Sequence, residues 1–116
     1  MESKDIIEQY QKEQRYFSGL DLDNGNFEGQ HLEGIVFENC FLYSSFSRAN
    51  LSGAKFINGN LKTCDFREAD LTDAHFENVS VENALFAGAK KDGTYFNNNW
   101  CYGQPVTQND FDNWKD

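Results

Sequence analysis

From Phe17 onward a large apolar side chain returns every fifth residue: Phe17, Leu22, Phe27, Leu32 and Phe37, then Leu51, Phe56, Leu61, Phe66, Leu71, Phe76, Val81 and Phe86. Neither regular period, 3.6 for a helix or 2.0 for a strand, generates that beat. Its source is internal repetition, which commits the chain to a repetitive scaffold whatever the local propensities of its residues. A scaffold of this kind is specified by the residues that build it, so the pattern constrains architecture far more than function.

The residue two before each anchor is usually small, as at Ala49, Ala54, Gly59, Cys64, Ala69, Ala74, Ala84 and Ala89. In Ala49-Asn50-Leu51-Ser52-Gly53 and Ala69-Asp70-Leu71-Thr72-Asp73 a five-residue unit A(D/N)LXX stands out. This pattern resembles the pentapeptide-repeat family over roughly Phe17 to Phe96. The resemblance implies an all-β solenoid, a right-handed quadrilateral β-helix. Four pentapeptides would make one square coil, with the anchor and the small residue inside and the other three positions in solvent.

Square coils require anchors about twenty residues apart to stack. The first face then reads Phe17, Phe37, Phe56, Phe76, Phe96, and the second Leu22, Leu42, Leu61, Val81. The third reads Phe27, Phe46, Phe66, Phe86, and the fourth Leu32, Leu51, Leu71, Lys91. Two opposed faces are all phenylalanine and the other two aliphatic until Lys91, an alternation that close packing of a square tube favours. Phe37 and Phe46 are nine residues apart, one short of two repeats. Leu42 continues the aliphatic column and places small Cys40 inside, so Leu42 is the anchor, the shortened corner lies at Tyr43 to Ser45, and Phe41 points outward.

The ends of a solenoid expose backbone edges that need covers. Ser3 as N-cap, Asp5 in the first turn and the stripe Ile6, Ile7, Tyr10 predict a capping helix over Ser3 to Gln14. Beyond Phe96 the small positions hold Asn99, Gln104 and Asn109, so Trp100, Tyr102, Phe111 and Trp114 are expected to fold as an irregular cap. The expected organisation is a cap over residues 1–15, about four coils over 16–97, and a C-terminal cap over 98–116.

Function is argued from what faces outward. Cys40 and Cys64 occupy inward positions on different faces, which gives no disulfide framework. His31 and His75 lie outward on different faces without metal-ligand spacing, and a filled tube offers no cleft to perturb a carboxylate. No enzyme activity, cofactor or metal is expected. No apolar stretch is long enough to span a membrane, and a cytoplasmic location is the expectation. The net charge of −9, from 10 Lys and Arg against 19 Asp and Glu, disfavours direct binding of nucleic acid. The first coil holds Asp21, Asp23, Glu28 and Glu33 with no basic residue, a candidate acidic patch. Val36, Phe41, Tyr43 and Ile57 are the outward apolar exceptions in the middle coils and form a candidate protein-binding patch. The expected function is non-catalytic binding of an unidentified protein by a monomer. The family resemblance implies an alternative, in which a DNA-like solenoid binds a type II topoisomerase and inhibits it or protects it from quinolones.

Overall fold

The computed structural model describes residues 1–116. The chain begins with helix α1 (Ser3–Gln11) and winds into a right-handed quadrilateral β-helix of about four turns. Its strands are β1 (Tyr16–Ser18), β2 (Asp21–Asn26), β3 (Val36–Glu38), β4 (Phe41–Ser45), β5 (Lys55–Asn60), β6 (His75–Ser80), β7 (Tyr95–Asn97), β8 (Asn99–Cys101) and β9 (Gln104–Val106), followed by helix α2 (Gln108–Asp112). No helix is long and apolar enough to cross a membrane.

The predicted columns are the observed ones. Parallel pairing sets Phe17 beside Phe37, Phe37 beside Phe56, Phe56 beside Phe76 and Phe76 beside Phe96. Leu22 pairs with Leu42, which is buried, while Phe41 is 48% exposed. On the third face Phe27, Phe46, Phe66 and Phe86 stack nearly flat, with centroids 4.8 to 5.2 Å apart and planes within 5°. The two phenylalanine columns then meet edge to face across the tube, as in Phe56 against Phe66 at 5.5 Å and 83°. Such pairs add about 0.5–1.5 kcal/mol each beyond the area they bury.

The repeat unit has a local physical logic. Two residues past an anchor the chain turns a corner with positive φ, 67° at Gly19, 57° at Asn39, 68° at Gly53 and 58° at Asp73. Glycine carries no penalty there, and asparagine and aspartate less than most residues, so these three dominate the corners. The residue just before an anchor accepts a hydrogen bond from the backbone two residues on: Asn50 from Ser52 at 3.1 Å, Asn60 from Lys62 at 2.9 Å and Asp70 from Thr72 at 3.0 Å. That bond accounts for the Asp or Asn of the A(D/N)L unit. At the corner between the first and second faces, Asn58, Asn78 and Asn98 join amide to amide up the tube.

One corner is missing. Between Leu42 and Phe46 no residue has positive φ, β4 runs straight through Ser44 and Ser45, and the pairing with β2 slips between Asp23 and Gly25. The shortened second coil also lies close to the third: a Cβ on Gly59 would sit 2.4 Å from the carbonyl oxygen of Cys40. Gly59→Ala should therefore cost about 1–3 kcal/mol, although alanine is the usual residue at this position elsewhere in the chain. Thermal melting checks this, and a neutral effect would mean that the second and third coils are not tightly apposed there.

The two ends correct the sequence expectations. Glu2 rather than Ser3 is the N-cap of α1, its N–H donating to Asp5 Oδ2 at 2.8 Å. The Ser3 hydroxyl instead accepts from the Asn26 N–H at 3.1 Å, serving the open edge of the first coil. The helix stops at Gln11 rather than Gln14 because Glu13 adopts φ 72°. Ile6 is buried in the core and Ile7 and Tyr10 pack against it, as the stripe requires. The C-terminal segment is more regular than expected: β8 and β9 form an antiparallel hairpin, and Thr107 caps α2 by accepting from the Asp110 N–H at 3.1 Å. Phe111 stacks on Phe96 at 4.5 Å and Trp114 meets Phe86 edge-on at 5.3 Å, whereas Trp100 and Tyr102 stay in solvent and cap nothing. Lys91, which ends the aliphatic column, donates to the Phe111 carbonyl at 2.7 Å and lies 4.6 Å from its ring centre. Partial burial lowers its pKa.

Candidate protein-binding surface

Outward side chains sit immediately before and after each anchor, so each face carries two vertical rows of them. On the second face the rows begin with Asp21 and Asp23, continue with Phe41 and Tyr43, pass through Asn60 and Ser80, and end at Trp100. Tyr102 follows at the top, its N–H donating to Glu82 Oε1 at 3.1 Å. The Phe41 and Tyr43 rings lie 6.4 Å apart at 21° to one another. Trp100 is 41% and Tyr102 66% exposed. On the first face Tyr16, Val36, Lys55, His75 and Tyr95 fill the leading row. Every exposed large apolar side chain except Met1 thus projects from the first two faces, and none from the third or fourth.

The four apolar candidates from the sequence separate into three places. Phe41 and Tyr43 share one strand and contact each other. Ile57 lies in the trailing row of the first face between Glu38 and Glu77, next to the corner that leads to Phe41. Val36 lies in the leading row, between Tyr16 and Lys55, and both Val36 and Ile57 are half-buried. Trp100 and Tyr102 belong with Phe41 and Tyr43. They hold the same positions relative to Cys101 that Phe41 and Tyr43 hold relative to Leu42, so extending the five-residue beat past Phe96 places them outward.

The acidic candidates are not brought into one patch. Asp21 and Asp23 stand together on the second face, Glu28 on the third and Glu33 on the fourth. Glu28 is bound by Arg48 at 2.7 Å, and Arg48 also reaches Glu68 at 3.2 Å, so a cation bridges acids of the first and third coils. Glu33 lies 3.5 Å from His31, and Asp65 is held by Arg67, which lowers its pKa. Asp21 and Asp23 have no basic group within ion-pair distance.

The chemistry available elsewhere is sparse. Burial pushes the Cys64 thiol up to about 12, and burial also raises Cys40, so neither supplies a thiolate nucleophile at neutral pH. All three cysteines are free. No three His, Cys, Asp or Glu side chains converge in the manner of a metal site. The depressions in the surface are shallow and line up at the corner between the second and third faces in the first three coils.

A family profile described as pentapeptide repeats matches residues 44–83, with eight copies. No curated protein matches the chain in sequence. Among solved structures, the fold is similar to QnrB1, described as a plasmid-mediated fluoroquinolone resistance protein, at a TM-score of 0.70 and 27% identity over 72% of this chain. The chain spans only 44% of that protein. It is also similar to alr5209, a pentapeptide repeat protein from Nostoc Pcc 7120, at a TM-score of 0.53 and 25% identity, over 93% of this chain and 87% of the other.

Proposed function

The chain is a pentapeptide-repeat β-helix, and from that premise we propose that it acts as a non-catalytic, monomeric protein-binding module whose second face docks its partner. One observation carries this reading. Exposed Phe41, Trp100 and Tyr102, with the adjoining Tyr43, project from a face that a solvated solenoid wall would fill with Asp, Asn, Ser or Thr, while no large apolar side chain is exposed on the third or fourth face. Aromatic rings are over-represented at the centres of protein interfaces because they bury large areas at little entropic cost. Phe41→Asp should change the melting temperature by little, since the side chain is half in solvent, and should abolish capture of a partner from the source cell. A large loss of stability would place Phe41 in the core, and unchanged capture would remove the second face as the docking surface.

A second reading, action on a type II topoisomerase, is favoured by the similarity to QnrB1. The pairing of Arg48 with both Glu28 and Glu68 weighs against DNA-like charge. A gyrase supercoiling assay with the purified protein tests it. The expected result is no inhibition and no relief of quinolone inhibition at high micromolar concentration.

A further inference from the structure

The missing corner leaves a notch, and we propose that the notch seats an arginine side chain of the protein partner; this deepens the docking reading above and rests on it. Where the second coil lacks its corner residue, a depression of ≈ 480 Å³ opens between the corners of the first and third coils, lined by Asn24, Tyr43, Ser44, Thr63 and Asp65 among others. Ser44 is 5% exposed, and its hydroxyl is the one buried side-chain polar atom without a hydrogen-bond partner. Inward polar side chains in other coils donate to a carbonyl of the coil below, as Thr94 does to Leu71 at 2.7 Å. Ser44 does not, because the bulged first coil brings Gly25 against it: a Cβ on Gly25 would lie 2.5 Å from Ser44 Oγ. A buried, unsatisfied hydroxyl is costly, and it marks the missing corner as the place where the packing of the tube is incomplete.

The lining selects the ligand. Tyr43 lines one wall, and its ring, 6.4 Å from that of Phe41, is an aromatic partner for a flat cation. Beside it in register stands Asp23, a carboxylate with no cation of its own, and Asp23 and Tyr43 line the adjoining depression together with Thr63. The Thr63 hydroxyl and the Asn24 carboxamide complete the rim. A guanidinium is the side-chain group that satisfies all of these, stacking on the ring, pairing with the carboxylate and donating in its plane to several acceptors. The ammonium of a lysine matches the charge but not the plane. Lys62 lines the adjoining depression but lies beyond ion-pair distance of Asp23, so it leaves that carboxylate unpaired. The overall charge of −9 draws a basic segment toward the protein.

The experiment titrates the full chain with an end-blocked Gly-Arg-Gly peptide, followed by amide chemical shifts, beside the Gly-Lys-Gly and Gly-citrulline-Gly peptides. Saturable shifts at Asp23, Tyr43, Ser44 and Thr63 are expected with arginine, at least about tenfold weaker with lysine, and absent with citrulline. Inserting one asparagine between Tyr43 and Ser44 restores the corner, fills the notch and should abolish the shifts without lowering the melting temperature. Should that insertion not fold, Tyr43→Ala should still reduce arginine binding at least about tenfold. Shifts spread over the third and fourth faces, equal binding of lysine, or unchanged binding by the corner-restored or Tyr43→Ala chain would overturn the notch. A partner whose capture depends on Phe41 but not on the insertion would leave the docking face standing and the notch refuted.

Discussion

Phe66→Ala is expected to remove about 3–5 kcal/mol of folding stability, a large part of what a domain of this size possesses. The ring is fully buried, stacked on Phe46 at 5.2 Å and on Phe86 at 5.1 Å. Phe56 and Phe76 also meet it nearly edge-on, each at 5.5 Å. Neighbours on every side hold their positions through other contacts of their own, so the vacated space cannot collapse, and the loss includes a cavity as well as the transfer of a ring to water. Phe17→Ala provides the comparison. Phe17 ends its column with a single ring neighbour, Phe37 at 5.9 Å, and should cost clearly less. Urea unfolding of both variants measures the difference, and equal losses would show that the stacked columns contribute no more than isolated burial.

Deleting residues 107–116 should make the chain self-associate. The tail seals the last coil with side chains that imitate the strand a further coil would have provided. The Gln108 carboxamide accepts from the Phe96 N–H and donates to the Thr94 carbonyl, both at 2.9 Å, as a peptide group of a neighbouring strand does. The Asp116 carboxylate accepts from the N–H groups of Phe86 and Ala87 at 2.9 and 3.1 Å. Phe111 covers the ends of both phenylalanine columns. Removing this cover exposes buried rings beside unpaired strand edges, the combination that templates edge-to-edge association. Size-exclusion chromatography with light scattering reads the outcome. A truncated chain that remains monomeric and melts with the parent would show that the edge needs no seal. Gln108→Ala, which opens two backbone groups only, should cost about 1–3 kcal/mol and cause no self-association.

The walls of the tube were legible in the sequence because anchors twenty residues apart share a column, and the choice of Leu42 over Phe41 followed from column chemistry alone. The candidate site was legible only in part. Asp21, Asp23, Glu28 and Glu33 are close in sequence, yet one coil visits all four faces, so proximity along the chain scatters charges around the tube instead of gathering them. The converse holds for Phe41 and Trp100, far apart in sequence and in one row in space. Because Asn99 is not small, the sequence pattern places Trp100 and Tyr102 in the cap. Asn99 nonetheless turns inward, since its carboxamide accepts from the Val79 N–H and donates to the Phe76 carbonyl, at 3.0 Å each. Lys91 likewise reads as the point where the repeat fails, although it helps to fasten α2 to the tube; a long side chain finding a carbonyl twenty residues away leaves no periodic trace.

The lost corner after Leu42 shows how this architecture handles errors of length. In a sheet of alternating strands, one missing residue inverts every side chain beyond it, so the core-facing set becomes the solvent-facing set. Here the residue is missing, yet Phe46, Leu51 and Phe56 return to their columns at once, and all later anchors stay in phase. Each left-handed corner separates one wall from the next, so a miscount is confined to the turn where it occurs. The coil behaves as a reading frame that resynchronises at every anchor. Corners can therefore be shortened, and a recess opened on an otherwise flat wall, without rewriting the rest of the sequence.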